Sequence, residues 1–181
     1  GVLNEMVYRP SEGVLASPYP LEEFRLLPRV SDALKLFKQM GFLTVVVSNQ
    51  PGVAKGKCTE DLLSSLTERL QAGLASQGAT LDGIYYCLHH PEAVRPDLRV
   101  ECDCRKPKAG LLRRSASELD IDLASSYMIG DTGKDVGAAR AAGCKAVLIA
   151  ERGTSEVRPA DHSNTTPDVI ASSLWEAALK I

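Results

Sequence analysis

The sequence predicts an α/β domain, a parallel β-sheet with helices on both faces, and three observations predict it. Short apolar, β-branched runs alternate with segments of helical periodicity, as βαβ crossovers require. The apolar runs are continuous, which is how strands buried on both faces read. Polar side chains stand directly after two of these runs, Ser48-Asn49-Gln50 after one and Asp131 after another. In parallel sheets, ligands gather beyond the carboxyl ends of the strands.

The elements are taken in chain order. Residues 31–40 carry apolar side chains at helical spacing (Ala33, Leu34, Leu36, Phe37, Met40), and Gly41 stops them. A buried strand is predicted over Phe42–Val47. Thr59 is a candidate N-cap for a helix reaching about Gln77, with Leu62, Leu63, Leu66, Leu70 and Leu74 on its apolar side. The run LDGIYYC reads as a second strand, and Pro107-Lys108 as the start of a helix to about Leu119. SSYMIG is a third strand, followed by a small-residue helix over Gly133–Ala142 that Gly143 ends. KAVLIA is a fourth strand, and PDVIASSLWEAALK holds a short strand and a last helix.

At 181 residues and 44% hydrophobic, the chain suits a single domain over 1–181 with its own core. Aromatics make up only 5%, so Val, Leu, Ile and Ala must fill that core. The net charge of −2 and the lack of a basic run argue against nucleic acid or an anionic membrane as partner. No apolar stretch reaches about 18 residues, the length of a membrane span. No signal-peptide pattern opens the sequence, so the cytoplasm is the expected compartment.

Three of the five cysteines fall between Cys87 and Cys104. In a reducing compartment such a cluster points to metal rather than to disulfides. Cys87-x-His89 and Cys102-x-Cys104 together make a Cys₃His set, the usual donors of a structural Zn²⁺ site. His90 competes for the fourth place. His89 is preferred because it mirrors the second Cys-x-Cys. The alternative is a redox pair or unconnected thiols, and Cys58 and Cys144 are read as ordinary thiols. A closed site leaves no position for water, so this metal would brace a loop. Arg105 and Lys106 follow the last donor directly, and a lysine ahead of a helix start suits a phosphate. The alternative for both is a solvated surface pair. Asp131, at a strand end, is placed for Mg²⁺. Asp135 is either its second-sphere companion or a helix-start charge.

These pieces resemble the haloacid dehalogenase (HAD) superfamily of phosphatases, with its Rossmann-like fold. Ser48-Asn49-Gln50 looks like the second family motif, whose hydroxyl binds the transferring phosphoryl group. Lys106 resembles the third-motif lysine. Gly130-Asp131-x-x-x-Asp135 is similar to the fourth motif, whose first Asp holds Mg²⁺. SNQPGVAKG and CDCRKP are similar to the heptose bisphosphate phosphatases, and less closely to the histidinol-phosphate phosphatases.

The resemblance implies catalytic roles for Ser48 and Lys106 and a substrate-binding set of Arg9, Ser48, Asn49, Gln50, Arg105 and Lys106. It implies Mg²⁺ as catalytic cofactor, Zn²⁺ as structural cofactor, a small phosphorylated sugar as substrate and a monomer. Arg9 either meets a second phosphate or stands free at the surface. No large inserted cap domain is visible. Thr132 stands where related heptose phosphatases often carry a lysine, with Lys134 two further on, so substrate preference is open.

The family's Asp-x-Asp-Gly motif ends its first strand, and GVLNE in this chain matches the family residues directly after those aspartates. The nucleophile and the acid/base Asp are thus expected upstream of Gly1, together with that strand. The 181 residues alone are expected not to turn over. The alternatives to a heptose bisphosphate phosphatase are a histidinol-phosphate phosphatase and a non-catalytic, zinc-braced phosphate-binding protein. A polynucleotide phosphatase is disfavoured by the acidic charge.

Overall fold

The computed structural model describes residues 1–10, 13–150 and 166–181. A hairpin of β1 (Val7–Arg9) and β2 (Val14–Ala16) comes first, then α1 (Val30–Gln39), β3 (Val45–Asn49), α2 (Pro51–Ala54) and α3 (Glu60–Ala75). β4 (Gly83–Cys87), α4 (Gly110–Leu119), β5 (Tyr127–Gly130) and α5 (Gly133–Ala142) come next. The chain closes with β6 (Lys145–Ile149), β7 (Val169–Ala171) and α6 (Leu174–Lys180). β3 pairs in parallel with β4, β5 with β6, and β6 with β7.

Alternation along the strands shows how the helices are layered. Met128 packs with Leu111 and Leu112 of α4 and Val136 and Ala139 of α5. Its neighbour Ile129 packs instead with Leu34 and Phe37 of α1, Leu70 of α3 and Leu174 of α6. Successive strand residues point to opposite faces. So α4 and α5 cover one face, and α1, α3 and α6 cover the other. β6 repeats the pattern, with Ala146 and Leu148 in the first cluster and Val147 against Ala171 and Ala177. Among the described residues no helix is long and apolar enough to cross a membrane.

Several predicted boundaries move. β3 starts at Val45, not Phe42, and includes Ser48 and Asn49. Phe42 serves the helical layer, its ring edge-on to Phe37 at 6.3 Å and to Tyr127 at 5.9 Å between centroids. The helix expected from Pro107 starts at Gly110. The residues before it form turns, with Lys108 N–H donating to Arg105 O and Gly110 N–H to Asp103 O. The Lys106–Pro107 peptide is cis. The hairpin and α2 have no counterpart in the predicted elements. Other boundaries agree. The Thr59 hydroxyl accepts from Leu62 N–H at 3.1 Å to cap α3. α5 spans Gly133–Ala142 and ends at Gly143, whose φ of 83° suits glycine.

Asp82 ties the start of β3 in place. Its Oδ2 accepts from Thr44 N–H at 2.7 Å, and its Oδ1 meets Lys38 Nζ at 3.1 Å. Burial opposes ionisation there, but the Thr44 and Lys38 hydrogen bonds outweigh it and lower the pKa. This stabilisation is complete above the ordinary carboxylate range near ~4 and is lost as pH falls through the depressed native value. Asp82→Asn is expected to cost about 1–3 kcal/mol at neutral pH. Melting temperature against pH checks this, because the gap between wild type and variant should close as the wild type is acidified.

Among the described strands, β3 pairs only with β4, and β5 only with β6. The expected parallel sheet is present as two half-sheets, β3–β4 and β5–β6–β7. Between them runs a cavity of about 320 Å³, lined by Val45, Val46, Val47 and Ser48 on one side and Met128, Ile129, Gly130 and Asp131 on the other. Gly1 lies at its polar end, its amino nitrogen 3.5 Å from Asp131 Oδ2.

Candidate active site and metal centre

The polar end of this slot is where the carboxyl ends of β3 and β5 come together. Ser48, Gln50, Lys106, Asp131 and Asp135 all line it. Lys106 arrives from the loop before α4, not from a sheet strand. Its ammonium donates to Val47 O at 2.8 Å and pairs with Asp135 Oδ1 at 2.6 Å. The two side chains are only 11% and 6% exposed, so the pair is nearly dry. A buried charge in this setting needs both its partner and its hydrogen bonds.

Asp135 has a double role that the sequence left open. It is the N3 residue of α5, in a capping box with Thr132. Its Oδ2 accepts from Thr132 N–H at 3.0 Å and Thr132 Oγ1–H at 2.7 Å. Its other oxygen faces Lys106. Gly130 makes the approach possible, since a Cβ there would stand 2.1 Å from the Asp135 Cβ. Asp131 keeps its carboxylate at the mouth of the slot, 24% exposed.

The sequence-predicted residues separate into two groups. Ser48 faces the slot, and Gln50 Nε2 donates to its Oγ at 3.2 Å, which orients the hydroxyl. Asn49 does not line the slot. Its side chain bonds the main chain of Lys106 on both sides, accepting from Lys106 N–H at 3.0 Å and donating to Lys106 O at 3.1 Å. Arg105 is held by its own loop, donating to His89 O at 3.2 Å. Arg9 is engaged rather than free, with contacts of 2.7 and 2.5 Å to Glu23 and its guanidinium 5.6 Å from the Tyr19 ring centroid. The Arg9 hydrogen bond holds the Glu23 carboxyl below its usual range. The Val47 carbonyl had no signal in the sequence, and the motif glycine Gly130 gave no sign of its close approach to Asp135. Main-chain groups and close approaches leave no residue-type signature.

The metal-donor set comes together as the spacing predicts. The ligand atoms of Cys87, His89, Cys102 and Cys104 lie within 4.8 Å of one another. Cys87 and Cys102 sulfurs are 3.7 Å apart, and Cys104 Sγ lies 2.9 Å from Cys87 and 3.3 Å from Cys102. His89 offers Nδ1, 3.4 Å from Cys104 Sγ. A tetrahedral ion about 2.3 Å from each sulfur would space them about 3.8 Å apart, which the Cys87–Cys102 pair matches while Cys104 stands nearer to both. His90 is committed elsewhere, its Nδ1 accepting from Glu92 N–H at 3.0 Å.

Burial raises the Cys87 pKa, and burial together with the neighbouring sulfurs raises that of Cys104. At Cys102 burial is outweighed by hydrogen bonds from Cys104 and from the Arg105 N–H, and the pKa falls. Three crowded sulfurs beside one imidazole therefore fit a soft divalent cation, which would favour all three thiolates. Cys87 ends β4, and Gln50 N–H donates to its carbonyl at 2.8 Å. That bond ties the donor cluster to the end of β3.

Comparisons with known proteins place the whole chain among phosphatases. A model of the HAD-hydrolase-like family matches residues 103–177. The D-glycero-beta-D-manno-heptose-1,7-bisphosphate 7-phosphatase of Escherichia coli K12 is 43% identical over 135 residues, which cover 75% of this chain and 71% of that protein. The protein of the same name from Haemophilus influenzae is 38% identical over 155 residues, 83% of this chain and 84% of its own. Among solved structures, the D,D-heptose 1,7-bisphosphate phosphatase of B. bronchiseptica, complexed with magnesium and phosphate, superposes with a TM-score of 0.78. It is 27% identical to this chain, covering 99% of it and 92% of the solved structure.

Proposed function

This chain belongs to the D-glycero-β-D-manno-heptose-1,7-bisphosphate 7-phosphatase family of HAD-like hydrolases, and from that premise we propose that it removes the 7-phosphate of a heptose 1,7-bisphosphate. The observation that carries the proposal is the constellation at the strand ends. A hydroxyl, a held ammonium and two carboxylates line one polar pocket beside a four-donor metal loop.

In this reading Ser48 donates its hydroxyl to a phosphoryl oxygen, in the orientation set by Gln50. Lys106 presents a preorganised positive charge to a second oxygen, and such charge is worth most in a water-poor site. Asp131 would hold Mg²⁺, which when bound would neutralise charge on the phosphoryl group. Asp135 keeps Lys106 in place. Cys87, His89, Cys102 and Cys104 would hold Zn²⁺, which would brace the loop that carries Arg105 and Lys106, with Arg105 meeting the sugar phosphate.

We assign the slot between β3 and β5 to a strand upstream of Gly1 that bears the Asp-x-Asp pair. The first of these aspartates attacks phosphorus and breaks its bond to the heptose oxygen, which the second aspartate protonates; water then attacks the aspartyl-phosphate, releasing inorganic phosphate and restoring the carboxylate. The close approach of Gly1 to Asp131 supports that placement. Residues 1–181 then form one domain with that strand. The free cysteines support a reducing, cytoplasmic setting.

The test is phosphate release with Mg²⁺ from heptose 1,7-bisphosphate and from histidinol phosphate. The 181-residue chain is run beside one extended upstream by an Asp-x-Asp strand. Activity confined to the extended chain, and higher on the heptose, is the expected result. Preference for histidinol phosphate would move the assignment to that branch. Turnover by the mass-verified 181 residues would overturn the role of the upstream aspartates. A folded but silent extended chain would favour a phosphate-binding protein.

A further inference from the structure

We infer that Asn49 is a positioning residue that sets Lys106, not a contact to substrate; this rests on the phosphate-site reading of Lys106 above. The side chain of Asn49 spans the main chain of Lys106, accepting from its N–H at 3.0 Å and donating to its carbonyl at 3.1 Å. The orientation of the amide is forced by chemistry. A backbone N–H can only face Oδ1, and a backbone carbonyl can only face the NH₂ group.

This two-point clamp is the exchange a neighbouring strand would make, supplied here by a side chain where no strand can pair. Residue 107 is proline and brings no N–H to the loop, and the loop's own bonds go to other groups, Lys108 N–H to Arg105 O and Gly110 N–H to Asp103 O. Among the hydrogen bonds described, Asn49 supplies both partners of the Lys106 peptide groups.

The clamp also sets a register. β3 holds Lys106 at two points two residues apart, the main chain through the Asn49 side chain and the ammonium through the Val47 carbonyl at 2.8 Å. Ser48 lies between them on the same strand and faces the slot. The distance from the hydroxyl to the ammonium is thus set by one short piece of β3, while Asp135 holds the ammonium from the first turn of α5. Asn49 lies outside the slot lining, which a direct phosphate contact would not. It also fastens the donor loop at its far end, one residue beyond Arg105, while the Gln50 N–H to Cys87 O bond fastens the near end. The loop is pinned to β3 at both ends.

The experiment uses two arms. The first needs neither substrate nor turnover. The 181-residue chain with Zn²⁺ and its Asn49→Ala variant are treated with formaldehyde and borohydride, and methylation of Lys106 and of the surface residue Lys145 is read by mass spectrometry. Lys106 should become about tenfold more reactive in the variant, the scale set by losing two hydrogen bonds. Lys145 and the zinc content should not change. Unchanged Lys106 reactivity in a folded variant overturns the inference.

If Asn49→Ala does not fold, Asn49→Asp replaces it. It keeps the shape and the acceptor toward Lys106 N–H but turns a second oxygen against the carbonyl, so an intermediate rise is expected and no rise overturns. The second arm measures turnover of the upstream-extended chain. Asn49→Ala combined with Lys106→Ala should be no slower than Lys106→Ala alone, because a residue acting through Lys106 has nothing left to act on. Additive losses would make Asn49 a substrate contact and overturn the inference. A failed phosphatase assay leaves the labelling result standing, so the two readings fail separately.

Discussion

Lys106→Ala is expected to lower kcat of the upstream-extended chain by at least about 100-fold, the usual cost of removing one preorganised charge or donor from such a site. It should also destabilise the fold. Asp135 is only 6% exposed and pairs with Lys106 at 2.6 Å. Without the ammonium its carboxylate stays buried and half-compensated by Thr132, which costs about 3–5 kcal/mol. A second substitution separates the two effects. Lys106→Ala with Asp135→Asn should recover most of the melting temperature, since the buried charge is gone, and none of the turnover. If turnover returned with stability, Lys106 would be a structural ion-pair partner only, and the phosphate-site reading would fail.

Cys104→Ser is expected to abolish stoichiometric zinc and to lower turnover of the extended chain with it. Cys104 sits closest to the other sulfurs, at 2.9 and 3.3 Å, and Arg105 and Lys106 follow it in sequence. Structural zinc binding is worth on the order of 10 kcal/mol at neutral pH, so its loss removes the strongest cross-link inside a loop that hydrogen bonds pin at its ends. Metal analysis by mass spectrometry and a chelator titration followed by melting temperature measure the two halves. Zinc should fall from about one ion per chain, the stoichiometry of a closed four-donor site, to none, and the wild type should melt lower in chelator while the variant does not respond. Full turnover with no zinc bound would show that the loop holds Arg105 and Lys106 unaided.

The two expectations differ in how far the sequence alone supports them. The metal loop was legible because donor type and short spacing are local properties. Two residues apart on one strand end or turn, Cys87 with His89 and Cys102 with Cys104 each reach one point without help from the fold. Asp131 was legible in the same way, as a carboxylate closing an apolar run. The order of strands and helices came from hydrophobic periodicity, and the Gly133–Ala142 helix from small residues bounded by Gly143. Each signal is carried by neighbours in the chain.

The features the sequence misplaced depend on contacts between distant segments. The apolar run from Phe42 looked like the strand itself, yet Phe42 turns to the Phe37 and Tyr127 rings and β3 begins at Val45. Pro107 looked like a helix start, yet the loop closes on itself first and α4 begins at Gly110. Arg9 was read as meeting a phosphate or standing free, and it lies against Glu23 and Tyr19. Asn49, grouped with the substrate contacts by its place beside Ser48, turns to the Lys106 main chain. Residue type at a strand end told which chemistry was available, and not which way each side chain faced.

The sequence by itself determined the α/β class, the donor set of the metal loop, and the hydroxyl, ammonium and carboxylates of the pocket. The first two come from periodicity and local spacing, the third from strand-end placement together with the resemblance to the family's motifs. The tertiary structure alone decided that Lys106 is shared between the Val47 carbonyl and Asp135, and that Asn49 clamps its main chain. It also decided that the carboxyl ends of β3 and β5 bring Ser48, Lys106, Asp131 and Asp135 to one pocket. Those pairings join residues tens of positions apart, through main-chain groups that every residue carries, so only the folded chain can bring them within hydrogen-bond distance.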